Sequence, residues 1–316
     1  MSLRISTAPH MHNPLTTSRL MQNVCIALMP TALVGIYAFG FPALLVLVVS
    51  VASAVVSELL WQKIARQPVR LNDFSALLTG LILGLNLPST APWWMAMIGS
   101  AFAIIIVKQL FGGLGDNFLN PALAARAVLL ASWPVHMAAS AYVTPTFFQS
   151  GVDAVSAATP LSMPGNYTLM QRLLGQIPGT IGEVSKIAIL IGFLFLVFTG
   201  TISWRIPVVM VGSVYVFTLL IAGSGFDGAL LAILSGGVLF GAVFMATDYV
   251  TSPIRPVAQI IYAVLIGLII VLIRQFGNYP EGVTYGILLM NIVTPLIDRF
   301  LPQKIYGIQK KEAKKA

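Results

Sequence analysis

A short run of small residues, Asp153-Ala154-Val155-Ser156-Ala157-Ala158-Thr159-Pro160-Leu161, holds one carboxylate and two hydroxyls. A hydroxyl oxygen can be esterified, and small neighbours leave room for an external enzyme to bring a bulky group up to it. By residue type alone, Ser156 and Thr159 are both eligible acceptors. Pro160 biases the residue before it toward extended backbone, which keeps Thr159 out of a helical turn. The same run also reads as a plain loop or a helix N-cap, with Asp153 or Ser156 accepting a backbone N–H.

Elsewhere the residues that do chemistry are sparse. There is no Walker sequence, no dinucleotide fingerprint and no His/Glu metal motif. His10 and His12 stand in the N-terminal arm, where a solvated or partner-contacting role fits better than metal ligation, and His136 alone makes no site. The lone Cys25 excludes a disulfide framework and any Cys-ligated cluster or zinc site from this chain by itself. It reads as a small core residue. Glu58, Asp73, Asp116, Asp248 and Asp298 all fall near the expected inner ends of apolar segments. A charge at a bilayer centre costs at least ~2.5–3.5 kcal/mol on insertion scales, so end placement is what topology alone demands. No proton relay is expected among these acids. An ion path would use backbone carbonyls, hydroxyls or partner subunits.

The elements that position these groups follow from composition. Of 316 residues, 57% are hydrophobic and 9% charged, against about 25% charged in a soluble domain. Such a chain cannot clothe a water-facing surface, which excludes a soluble enzyme, a disordered protein and a nucleic-acid-binding module. A spanning helix needs roughly 20 mostly apolar residues. Ten candidate segments meet or approach this: 22–39, 42–61, 74–87, 93–110, 120–138, 185–203, 206–222, 228–247, 257–274 and 282–299. Gly and Pro clusters separate them. The first run lacks a small-residue cleavage site and is expected to be retained as a span. The expected fold is an all-α integral membrane protein embedded in the lipid bilayer.

Basic residues set the orientation. With the N-terminus inside and ten alternating spans, fifteen of the 18 Lys and Arg lie on or near the inside. Arg172, Lys186 and Arg274 alone lie outside. That bias is the positive-inside pattern. It puts both termini in the cytoplasm and the long 139–184 connection, with Thr159, on the outer face. The basic tail reads as an orientation anchor. The chain then divides into an N-terminal arm 1–21, a first five-helix repeat 22–138, the outer loop 139–184, a second repeat 185–303 and the tail 304–316.

An odd number of spans per half means that related halves must be inverted in the membrane. Leu110-Phe111-Gly112-Gly113 through Asn117 opens the fifth span, and Gln275-Phe276-Gly277-Asn278-Tyr279 opens the tenth. The third span is short with Gly80 and Gly84, and the eighth carries Gly236, Gly237 and Gly241. Paired glycine-interrupted spans point either to broken helices around a central site or to close helix packing. Both readings stand on sequence alone.

The outer run also resembles the flavinylation motif D-x-x-[ST]-G-A-T, in which a flavin transferase esterifies FMN phosphate onto the final threonine. Asp153, Ser156, Ala158 and Thr159 match, and Ala157 stands where glycine is usual. Further stretches are similar to the same family: Thr79-Gly80-Leu81 through Leu87-Pro88, Phe111 to Gly115 with Asn120-Pro121-Ala122 and Arg126, Phe244 to Asp248, and Thr251-Ser252-Pro253. That family comprises the D-subunit of the Rnf complex and the B-subunit of the sodium-pumping NADH:quinone reductase. The arm of about twenty residues before the first span, with Ala8-Pro9-His10-Met11-His12, sits closer to the Rnf D-subunit.

The resemblance implies an electron-transfer subunit with covalent FMN on Thr159, Asp153 and Ser156 serving the transferase or ordering the loop. It implies a second, non-covalent flavin such as riboflavin. It also implies a bacterial inner-membrane complex that couples ferredoxin:NAD+ electron transfer to Na+ or H+ translocation. Nucleotide and iron–sulfur chemistry would then belong to the other subunits, making this chain part of an oxidoreductase and not complete alone. The rival reading is an inverted-repeat solute channel or transporter, which accounts for the topology but not for the outer run.

Overall fold

A computed structural model describes residues 16–137, 141–147, 167–277 and 282–301. Every regular element among them is helical. In chain order they are α1 (Thr17–Phe39), α2 (Phe41–Ile64), α3 (Ser75–Leu85), α4 (Trp93–Phe102), α5 (Pro121–Ser132), α6 (Pro134–Met137) and α7 (Leu169–Leu174). Then follow α8 (Lys186–Phe198), α9 (Arg205–Ile221), α10 (Phe226–Ile233), α11 (Val238–Phe240), α12 (Pro256–Phe276) and α13 (Val283–Phe300). Two of them run on as π-helix, α4 through Ala103–Lys108 and α11 through Gly241–Met245. The Asp153, Ser156, Ala158 and Thr159 motif, the histidine-bearing arm and the basic tail lie outside the described residues.

Each of the ten apolar segments coincides with a helix or a helical pair, but they are not ten equal crossings. Five are long and apolar enough to span a membrane: α1, α2, the continuous helix Trp93–Phe111, α12 and α13. The eighth segment is a pair, α10 and the helix Val238–Met245, bent by 61°. α3, α5, α8 and α9 are shorter apolar helices. At ~1.5 Å per residue, α3 reaches only ~16 Å. The chain beyond it, Asn86 to Pro92, continues without helix and in large part buried.

Local chemistry explains the ends. Asn120 caps α5, accepting from Ala122 N at 3.1 Å and Leu123 N at 3.3 Å, and Pro121 starts the helix where no N–H is needed. Ser185 caps α8 in the same way, accepting from Ala188 N at 3.2 Å. Thr168 and Gln171 form a reciprocal capping box on α7.

The two glycine patterns resolve differently in the two halves. A Cβ on Gly80 would stand 2.8 Å from both Ser50 O and Val51 Cα of α2, so the third segment uses glycine for close packing. Gly236 has φ 65°, a left-handed conformation between α10 and α11, so the eighth uses it for the bend.

The segment 176–185 enters the core as coil. Ile181 N donates to Leu87 O at 3.2 Å and Gly182 N donates to Leu85 O at 2.7 Å, satisfying carbonyls that α3 leaves open where it ends. Large aliphatic side chains meanwhile stand outward along the long helices, among them Leu33 (60% exposed) and Ile292 (56% exposed). That distribution suits a surrounding apolar medium and not water.

Candidate functional site

Several stretches far apart in sequence meet at one end of the helical body. The start of α1, the end of α2, the end of the α4 helix and the turn after Met245 enclose an open vestibule of about 840 Å³. Its walls include Glu58, Gln62, Arg70, Asp73, Gln109, Tyr249 and the loop Gly112 to Asp116. In that loop Gly112, Gly113 and Gly115 all take positive φ, which lets the chain reverse tightly after the helix. A narrower cleft of about 80 Å³ adjoins it, sharing Met21, Leu114, Tyr249 and Val250. Thr79, Asn117, Asn120, Phe244, Thr247 and Asp248 line that cleft. The structure thus brings together the Thr79, Gly112–Gly115, Asn120–Ala122 and Phe244–Asp248 stretches.

A buried polar network lines both spaces. Lys108 ends the π-helical stretch and its Nζ donates to Glu58 Oε1 at 2.8 Å, Glu58 Oε2 at 3.0 Å and Ser75 Oγ at 2.6 Å. Glu58 Oε1 also accepts from Gln109 Nε2 at 2.8 Å and from Gln62 Nε2 at 3.3 Å. Ser75 Oγ donates in turn to Asp73 Oδ1 at 2.8 Å. Glu58 and Lys108 are 1% and 2% exposed, so this is a desolvated ion pair with its remaining hydrogen-bonding capacity taken up by amides and a hydroxyl.

The five acids noted in the sequence therefore have unlike surroundings. Asp116 is exposed, Asp73, Asp248 and Asp298 are half-buried, and Glu58 is sealed in the network. Asp248 lies in the turn beyond the π-helix. Loss of water there pushes its carboxyl above the ordinary range, against hydrogen bonds from Val250 N and Thr251 Oγ1.

Sequence reasoning missed the Glu58–Lys108 pair because the partners are fifty positions apart and no local pattern joins them. The usable signal was a single Lys at the end of an otherwise apolar helix. It also counted Arg172, Lys186 and Arg274 only as topology markers, whereas Arg172 and Lys186 are fully buried. Arg126, one of the resembling residues, donates to Asn86 Oδ1 at 2.9 Å and lies 3.8 Å from Glu183 in the core. His136 packs edge-on against Trp94 and Cys25 is half-buried in α1.

The model of the NQR2, RnfD, RnfE family matches residues 4–307, almost the whole chain. The chain belongs to that family. Among curated members it is 48% identical to the D-subunit of the Na+-translocating ferredoxin:NAD+ oxidoreductase complex of Acetobacterium woodii, with 99% of each chain covered. It is 42% identical to the D-subunit of the proton-translocating ferredoxin:NAD+ oxidoreductase complex of Clostridium ljungdahlii, covering 97% of this chain and 96% of that one. It is 38% identical to the D-subunit of the ion-translocating oxidoreductase complex of Cronobacter sakazakii, covering 97% and 99%. The sequence resemblance to these D-subunits therefore runs over nearly the whole chain.

Proposed function

We propose that this chain is the D-subunit of a bacterial, ion-translocating ferredoxin:NAD+ oxidoreductase complex, with covalent FMN on Thr159. The observation that carries the reading is the likeness to the A. woodii D-subunit over 99% of both chains. In the proposal, ten membrane crossings form a five-plus-five inverted repeat, with both termini in the cytoplasm and Thr159 on the outer face. α3 and the bent α10–α11 pair are the interrupted crossings. Partners are the other subunits of the complex, the flavin transferase during maturation, and the lipid bilayer. Two of the named relatives belong to complexes described as translocating Na+ and H+ respectively, and the coupling ion here is one of these.

When bound, FMN supplies reversible electron uptake, and the protein's part is to hold and tune it. The Thr159 hydroxyl provides the ester oxygen, and Asp153, Ser156 and Ala158 complete the sequence a transferase reads. The vestibule and cleft are the proposed seat of a second, non-covalent flavin such as riboflavin. The amides of Asn117 and Asn120, the Thr247 hydroxyl and apolar walls suit a flat heteroaromatic ring with polar edges. The cleft's 80 Å³ is too small for the whole ring, so the ring body sits in the vestibule and only an edge enters the cleft.

Replacement of Thr159 by Val tests the covalent link, because it keeps the β-branched shape and removes only the oxygen. Thr159→Val is expected to reach the membrane and lose both the flavin-sized mass increment and the fluorescence of its denatured gel band. Ser156→Ala is expected to retain them at least in part. Flavin retained on Thr159→Val, or peptide spectra putting the adduct on Ser156, would refute the assignment.

A further inference from the structure

Both π-helical stretches reach the cleft, Lys108 of the first and Phe244 of the second standing in its wall. π-Helical turns recur at functional sites. Behind that wall, polar side chains from α12, α13 and the start of α5 join in a buried chain. Asn291, with its amide turned so that both ends find partners, donates from Nδ2 to Tyr262 Oη at 2.8 Å and to Ile287 O at 3.2 Å. Its Oδ1 accepts from the backbone N–H of Asn120 at 3.2 Å. Tyr262, Asn291 and Asn120 are 0%, 2% and 4% exposed.

Asn120 is the end of this chain that meets the cleft. Its Oδ1 is taken up by α5, accepting from Ala122 N and Leu123 N. Its Nδ2 carries two hydrogens, and the one bond it makes among the described residues runs to Met245 O at a long 3.4 Å. That leaves a donor for an acceptor placed in the cleft. Helix packing does not call for the Tyr262 hydroxyl, because phenylalanine would fill the same space. Interhelical hydrogen bonds also add little to helix association in lipid on average. The effect of the chain is geometric: Tyr262 fixes the Asn291 amide, and Asn291 fixes the Asn120 backbone and with it the amide beside the cleft.

We propose that Tyr262 and Asn291 are positioning residues for the non-covalent flavin, a role that rests on the flavin seat proposed above. They hold the Asn120 amide so that it donates to a carbonyl oxygen or ring nitrogen on the edge that enters the cleft. Neither residue lines the vestibule or the cleft, so both act on the ring only through Asn120.

The test is equilibrium dialysis of labelled riboflavin against the purified complex, which keeps covalent flavin out of the signal. Tyr262→Phe is expected to weaken binding about three- to tenfold, the loss of one hydrogen bond. Asn291→Leu, which breaks the same chain independently, should weaken it at least as much. The double variant should bind no more weakly than Asn291→Leu alone, because the hydroxyl acts through the amide. Thr218→Val deletes another buried hydroxyl bond, to Val214 O at 2.6 Å on α9, and should leave riboflavin binding unchanged. Undiminished binding in Tyr262→Phe, losses that add in the double variant, or an equal loss in Thr218→Val would each overturn the positioning role and leave the seat standing. No binding by the wild type, or binding untouched by Asn117→Leu in the cleft wall, would refute the seat and the positioning role with it.

Discussion

Replacing Lys108 by Met removes the centre of the buried network and leaves Glu58 without its counter-charge. The three donor bonds of the ammonium go to Glu58 Oε1, Glu58 Oε2 and Ser75 Oγ. All three are charge-assisted, each worth about 1.5–3 kcal/mol. The remaining partners of Glu58 are the amides of Gln109 at 2.8 Å and Gln62 at 3.3 Å. They cannot neutralise a carboxylate that is 1% exposed. The expected loss is therefore about 3–5 kcal/mol, the range for breaking a buried pair from one side. At about 2 °C per kcal/mol, the melting temperature in detergent falls by roughly 6–10 °C. Glu58→Gln alone should also destabilise, because it strands the ammonium. The double variant removes both charges and is expected to recover more than half of the Lys108→Met loss. The assay is thermal unfolding of the four proteins of the cycle, read by intrinsic fluorescence and by the fraction still monodisperse. Losses that simply add, with a coupling below about 0.5 kcal/mol, would refute the claim that the pair acts as a unit.

Three further outcomes are expected. In a Cys25→Ala background, single cysteines at Ser162 and Gln309 should label oppositely with an impermeant maleimide on intact cells, Ser162→Cys reacting and Gln309→Cys not; the reverse pattern would invert the proposed topology. Gly236→Ala puts a Cβ at φ 65° and should cost about 1–2 kcal/mol of stability. Gly237→Ala, at φ −82°, should cost less, and equal losses would show that the left-handed turn is not what demands glycine. Asp248 has its carboxyl raised by desolvation. Its contribution to stability is present below the ordinary carboxylate range and is lost as pH rises through the raised value. Asp248→Asn should thus melt higher than the wild type near neutral pH and match it only once the pH falls below the ordinary carboxylate range; a gain independent of pH would sink that account.

Much of the helical framework was legible in the chain itself, because a membrane-embedded helix is specified by local quantities. Ten apolar segments separated by Gly and Pro anticipated helices now seen at 17–39, 41–64, 93–111, 256–276 and 283–300, with boundaries off by a few residues. The helix starts at Asn120-Pro121 and Ser185 follow from their own residue types. The family was legible too, since scattered short motifs need only be present in order to be recognised.

What tertiary structure alone decided is which distant groups share a space. Apolar length marked the third segment as short but could not say that segment 176–185 enters to take the Leu85 and Leu87 carbonyls at its end. Nor could glycine content separate packing from bending. Gly80 lies against the α2 backbone and Gly236 turns the chain, a difference set by what stands beside each residue. The Glu58–Lys108 pair and the buried Arg172 and Lys186 belong to the same class. Charge counts assign such residues to one side of a membrane. Whether a charge meets water, an opposite charge or a helix carbonyl depends on which elements pack around it, and that is fixed only when the helices come together.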